Sequence, residues 1–267
     1  MARAKRHYLP GHIWHITHRC HKREWLLKFK RDRQRWLQWL FEAKKRYGLV
    51  ILNYIITSNH IHLLVVDDGD REVIPQSMQL LAGRTGQGYN LRKNRTGAFW
   101  EDRYHATAIE SGEYLLRCMV YIDLNMVRAG VVKHPSEWIY SGYNEIQKTR
   151  YKCSLIAHER VMTLAGFDSL NSFRIAHADW ISNALRDGNH EREPLWTESI
   201  AAGCEQFAKS MDEALGEKAK GRKLVNKGNL YCLREDPMPY ATNFGPKNVN
   251  IGVKNTFFLK DSLCLSE

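Results

Sequence analysis

His60 and His62 stand two residues apart within an otherwise apolar run. In extended backbone, residues i and i+2 project from one face, so both imidazoles point one way while Ile61 points the other. Two imidazoles so placed can share one metal ion; surface or packed histidines are the plainer reading of an isolated His-x-His. A second set follows downstream. Arg117, Tyr121, Asn125 and Arg128 recur at i, i+4, i+8 and i+11, which puts them on one stripe of a helix. That stripe holds a phenol able to attack phosphorus, an amide oxygen able to be a third metal ligand, and two guanidinium groups that match phosphate oxygens. A solvated helix face with Tyr121 half-buried at its border is the alternative.

Positioning these groups requires a sheet and helices. Residues 12–20 read as a strand, rich in β-branched and aromatic side chains. Residues 31–46 read as an amphipathic helix with Trp36, Leu37, Leu40, Phe41 and Ala43 on its apolar side and Gly48 just past its end. Residues 49–57 and 60–66 read as two strands joined by the short Ser58-Asn59 turn, and a helix is expected from about Val73 to Ala82. Gly83, Gly86 and Gly88 follow; they are no phosphate loop, because they come after a helix and lack the Lys-Ser/Thr ending. Residues 103–109 read as a fourth strand. Residues 112–129 read as a helix capped by Ser111 and stopped by Gly130, its apolar stripe being Leu115, Met119, Ile122 and Met126, widened by Leu116, Val120 and Leu124. The first six elements fit a ferredoxin-like α+β unit, an antiparallel sheet backed by helices. This suggests one domain over 1–150 and a mainly helical C-terminal extension over 151–267. In the extension, 153–165, 169–186 and 196–215 look helical, 218–227 reads as a basic linker, and the tail from Asn229 reads as loop with short strands.

Charge is distributed unevenly. The chain of 267 residues carries a net +11, and residues 1–46 hold 14 basic against 3 acidic side chains, so the whole excess lies there. A concentrated excess suggests a polyanion partner, nucleic acid first, against the alternative of a solvated basic helix face. Nine of the twelve histidines precede residue 135. Hydrophobic residues at 43% and charged residues at 26% argue against disorder. No apolar run reaches the ~18–20 residues a membrane helix needs. Cys20, Cys118, Cys153, Cys204, Cys232 and Cys264 contain no CxxC pair, which excludes a zinc ribbon and gives no reason to expect a disulfide framework. With no signal peptide visible, the expected setting is cytoplasmic.

The string Ser58-Asn59-His60-Ile61-His62-Leu63-Leu64-Val65, then Phe99-Trp100 with Arg103-Tyr104, then Tyr121-Ile122-Asp123-Leu124-Asn125-Met126-Val127-Arg128-Ala129-Gly130, resembles the tyrosine HUH single-strand DNA transposases. Within them it is most similar to the REP-associated tyrosine transposases, over about residues 8–147. The resemblance implies that His60 and His62 hold a divalent metal, that Asn125 completes its site, and that Tyr121 is the nucleophile. Ser58 and Met126 stand where family members often have proline; neither change removes a reactive group.

The implied reaction is metal-dependent cleavage of one DNA strand, leaving a 5′-phosphotyrosine and a free 3′-OH, with strand transfer by reversal. The implied ion is Mg²⁺ or Mn²⁺, and the implied partner is single-stranded DNA as a hairpin or palindromic repeat, bound by a monomer or homodimer. Arg117, Arg128, Arg103, Arg19, Arg31 and Arg35 are the expected DNA contacts, with Trp14, Trp25 and Phe29 available for stacking. Tyr114 is a rival nucleophile two turns before Tyr121, with Tyr104 and His105 weaker candidates. Two other functions compete: a non-catalytic single-stranded DNA or RNA binder on the same sheet, and a metal-dependent hydrolase using water, which needs more carboxylates than this site offers.

Overall fold

The computed structural model describes residues 9–148, 154–188, 192–219 and 221–235. Strand β1 (Ile13–Arg19) leads to α1 (Lys30–Tyr47), then β2 (Val50–Ile56), β3 (His60–Val66), α2 (Val73–Lys93) and β4 (His105–Ile109). The four strands lie in the order β2-β3-β1-β4 with every pair antiparallel, the strand and helix order of a ferredoxin-like unit. Helix α1 buries Trp36, Leu40 and Ala43 and packs against α2.

Register assigns the faces. Thr17 lies opposite His62 on β3 and His105 on β4, and His15 lies opposite Leu64 and Thr107. His15, Thr17, Arg19, His60 and His62 therefore share one face, while buried Ile61, Leu63 and Val65 take the other.

Helix α3 (Glu113–Asp123) packs on β2 and β4. The helix expected over 112–129 breaks at Leu124 (φ −76°, ψ 1°), and a short α4 (Asn125–Arg128) continues it. A buried network anchors this region. Asp123 accepts from Asn53 on β2 (3.1 Å) and from His177 (2.9 Å), and the latter side chain is also within 3.2 Å of Gln147 Nε2.

Beyond these come α5 (Tyr143–Gln147), α6 (His158–Leu164), α7 (Leu170–Arg186), α8 (Leu195–Glu198), β5 (Ser199–Gly203), α9 (Glu205–Leu215), β6 (Arg222–Lys227) and β7 (Leu230–Glu235). Helices predominate in this extension, but its strands join the sheet. β5 runs parallel to β4, pairing Ala108 with Ala201, and β7 and β6 complete the seven-stranded order β2-β3-β1-β4-β5-β7-β6. Strands from both sides of position 150 thus share one sheet.

Three local readings are corrected. Helix α2 runs on through Gly83, Gly86 and Gly88; at Gly86 alone of the three is a side chain crowded, where a Cβ would lie 3.1 Å from Phe99 Cβ. Residues 199–203 are a strand inside the expected 196–215 helix, sheet pairing overriding the helix propensity of Ala201 and Ala202. Residues 222–227, expected as linker, form a strand paired to β7 across Gly228-Asn229. Among the described residues no helix is long and apolar enough to cross a membrane.

Candidate active site

His60 and His62 project from the start of β3 toward the break between α3 and α4. There the Asn125 carboxamide nitrogen lies 3.0 Å from His62 Nε2 and 3.4 Å from His60 Nε2. Two ring nitrogens thus converge on one small polar group.

Each ring is held by its other nitrogen. Asn59 Nδ2 donates to the Arg23 carbonyl, which turns Asn59 Oδ1 toward His60 Nδ1 at 2.7 Å. A carboxamide oxygen only accepts, so His60 Nδ1 carries the proton and Nε2 the lone pair. His62 Nδ1 lies 2.8 Å from His15 Nε2, and His15 Nδ1 lies 2.8 Å from the Trp196 carbonyl.

Charge is disfavoured at all three rings. Burial holds His60 down to about 4, with Arg19, Arg128 and Arg192 adding repulsion. Burial, then His15, His60, Arg128 and Arg19, keep His62 well below its ordinary value. Burial pushes His15 down to about 3, against the opposing pull of the Trp196 carbonyl. At neutral pH these imidazoles are uncharged and present lone pairs, the form that binds metals.

Among the described residues no group of three or more His, Cys, Asp or Glu side chains is placed to hold a metal ion. The donor set here is two imidazoles and an amide. A half-turn of the Asn125 carboxamide exchanges its nitrogen for its oxygen, giving three donors suited to a divalent ion. The residues fit the group that the sequence implied.

Tyr121 lies beside this cluster. Its ring centroid is 6.0 Å from that of His62, at 84°. The side chain is 7% exposed and lines the same cavity of about 830 Å³ as His60, His62 and Asn125. The Arg128 guanidinium sits 4.2 Å above its ring and donates to the Tyr121 carbonyl at 2.7 Å. Burial raises the phenol pKa, while Arg128, Arg192 and a hydrogen bond from Thr197 draw it back. A phenol so buried is no solvated helix face.

The other expected residues divide. Arg19, Arg103 and Arg128 line the cavity, as do Trp14, Tyr104 and His105, the last within 2.8 Å of the Ser199 carbonyl. Arg117 lies instead near the rings of Tyr114 and Trp196. Arg31 and Arg35 line a separate pocket with Tyr89 and Arg92. Tyr114 is turned outward, its hydroxyl donating to the Asn229 carbonyl. Trp25 and Phe29 are 66% and 53% exposed, under Lys28 and Lys93 respectively.

Sequence reasoning missed Arg23 and everything the extension contributes: Arg192, Thr197, Glu198, Ile200 and Arg222 all line the cavity. It also gave His15 no role, although His15, Thr17 and Arg19 alternate toward one face of β1.

Residues 9–125 match the family model described as "Transposase IS200 like". Over that stretch, which takes in His60, His62, Tyr121 and Asn125, the chain is similar to the IS200-like transposases. Two solved structures are similar. One is a REP-associated tyrosine transposase bound to a REP hairpin, 18% identical, covering 58% of this chain and 90% of that one with a TM-score of 0.47. Another is a candidate transposase from Deinococcus radiodurans R1, 18% identical, covering 38% of this chain and 82% of that one with a TM-score of 0.31. No curated protein matches the chain.

Proposed function

We propose that this protein is a metal-dependent single-stranded DNA endonuclease and strand transferase whose nucleophile is Tyr121. The observation that carries the reading is convergence: two imidazole lone pairs, the Asn125 amide and the Tyr121 phenol in one arginine-lined cavity. His60, His62 and Asn125 would hold Mg²⁺ or Mn²⁺; phosphate chemistry favours the first and two imidazoles the second. When bound, the ion supplies Lewis-acid polarisation of the scissile phosphate and a template for it.

The chain's own groups do the rest. Arg19, Arg103, Arg128 and Arg192 give the cavity the positive potential that draws in a phosphodiester. Tyr121 oxygen attacks phosphorus in line, forming a 5′-phosphotyrosine and breaking the bond to a 3′-oxygen, which leaves as a hydroxyl on taking a proton. The phenol has an ordinary pKa of about 10, so it needs activation. Arg128 and Arg192 favour the phenolate that burial opposes. The reverse step, with a second 3′-OH, rejoins strands. We take the substrate to be a hairpin or palindromic single strand, and the working species to be a monomer or homodimer.

The test is incubation with an end-labelled single-stranded hairpin and Mn²⁺, followed by a denaturing gel. A covalent protein–DNA adduct with the wild type and none with Tyr121→Phe is the expected result. Cleavage without an adduct would mean hydrolysis by water. Tight binding with no cleavage would mean a non-catalytic binder.

A further inference from the structure

Beyond the side chains it adds to the cavity, the extension meets the His15 ring through one main-chain atom. The Trp196 carbonyl can only accept, so the 2.8 Å contact requires the proton of His15 on Nδ1. A neutral His15 then has a lone pair on Nε2, and the 2.8 Å contact to His62 Nδ1 requires the proton of that ring on Nδ1. His62 Nε2 is left with the lone pair that faces Asn125 at 3.0 Å.

We infer that His15 is a positioning residue: locked by the Trp196 carbonyl, it fixes the tautomer and orientation of His62, so the extension completes the site. The inference rests on the reading of His60, His62 and Asn125 as metal ligands. The supporting geometry is specific. The His15 and His62 rings lie edge to edge, centroids 5.0 Å apart and planes 19° from parallel, as an in-plane hydrogen bond requires; both are buried, and α8 packs on β1 and β4. An imidazole whose second nitrogen is hydrogen-bonded is a more basic and better-oriented ligand, and losing such a partner typically costs 10–100-fold in metal affinity.

The experiment uses full-length, metal-free protein with ¹⁵N-labelled histidine. Two-bond imidazole spectra are expected to give His15 and His62 each protonated at Nδ1 and bare at Nε2. Wild-type protein with His62 protonated at Nε2 overturns the inference without any variant. His15→Phe, which removes the acceptor, is expected to mix or switch the His62 tautomers and to weaken Mn²⁺ binding about 10–100-fold by electron paramagnetic resonance titration. His15→Gln, which keeps an acceptor at the Nε2 position, is expected to restore both within a few-fold. Equal losses for Phe and Gln, or an unchanged His62 tautomer in His15→Phe, would refute the inference. Wild-type protein that takes up no Mn²⁺ refutes the metal reading instead, and the spectra then decide the relay by themselves.

Discussion

Arg128 lies over the face of the Tyr121 ring and donates to the carbonyl of the same residue, so it grips the tyrosine at side chain and main chain together. The contact favours negative charge on the phenol and holds the ring against the cavity. Arg128→Ala is expected to slow adduct formation about 10²-fold, the usual scale for removing one stabiliser of a developing oxyanion. Arg128→Lys recovers charge but not the planar stack and should fall between. Single-turnover rates of adduct formation measure both; an unchanged rate would remove Arg128 from the chemistry.

The Asp123 network should matter for stability. Asp123→Ala leaves the Nε2 of His177 and the Nδ2 of Asn53 facing an empty space in the interior. An orphaned buried polar group costs about 1–3 kcal/mol, so a loss of about 3 kcal/mol is expected. Urea unfolding with a constant m-value measures it, and a midpoint equal to the wild type's would contradict it.

Gly142 sits where two main chains nearly touch. A Cβ there would lie 2.3 Å from Asn53 Oδ1, 2.8 Å from Ile156 Cδ1 and 3.2 Å from the Tyr54 nitrogen. Gly142→Ala is therefore expected to destabilise by about 2 kcal/mol, the cost of overpacking. Thermal unfolding of the purified variant is the check.

Thiol reactivity gives a pH signature. Burial pushes the Cys20 thiol up to about 12 and the Cys232 thiol up to about 11, and raises that of Cys118 well above the ordinary range. A raised pKa keeps the unreactive thiol at lower pH, so alkylation should rise only as pH increases. At pH 8 the thiolate fraction of a group titrating at 12 is on the order of 10⁻⁴. Iodoacetamide at pH 8 should leave all three unmodified in native protein and modify them in urea, as read by peptide mass mapping. Rapid native labelling of Cys20 would be inconsistent with its burial.

The residues of the candidate site were legible because side chains define it. Alternation along β3 put His60 and His62 on one face, and helical spacing put Tyr121 and Asn125 on one stripe. The support for His62 was not legible. It runs through a main-chain carbonyl at Trp196, and a carbonyl leaves no trace in residue type. Strand β5 was hidden because Ile200, Ala201 and Ala202 suit a helix equally well, and only the unpaired side of β4 decides between them. Strand β6 was hidden by its own composition: Arg222, Lys223, Asn226 and Lys227 read as a solvated charge run. The two-residue Gly228-Asn229 connection that joins β6 to β7 is of the hairpin type. Arg31 and Arg35 border a separate pocket, because a basic helix says nothing about which cavity it borders.

The parallel contact of β4 with β5 has a consequence for biosynthesis. A ribosome that has made only the first 150 residues has delivered His60, His62, Tyr121 and Asn125, yet the nascent sheet ends in a raw β4 edge and His15 has no Trp196 carbonyl to meet. Both partners arrive only when the stretch through Gly203 clears the exit tunnel. Premature termination upstream of that point would leave that edge bare, a template for pairing with other chains.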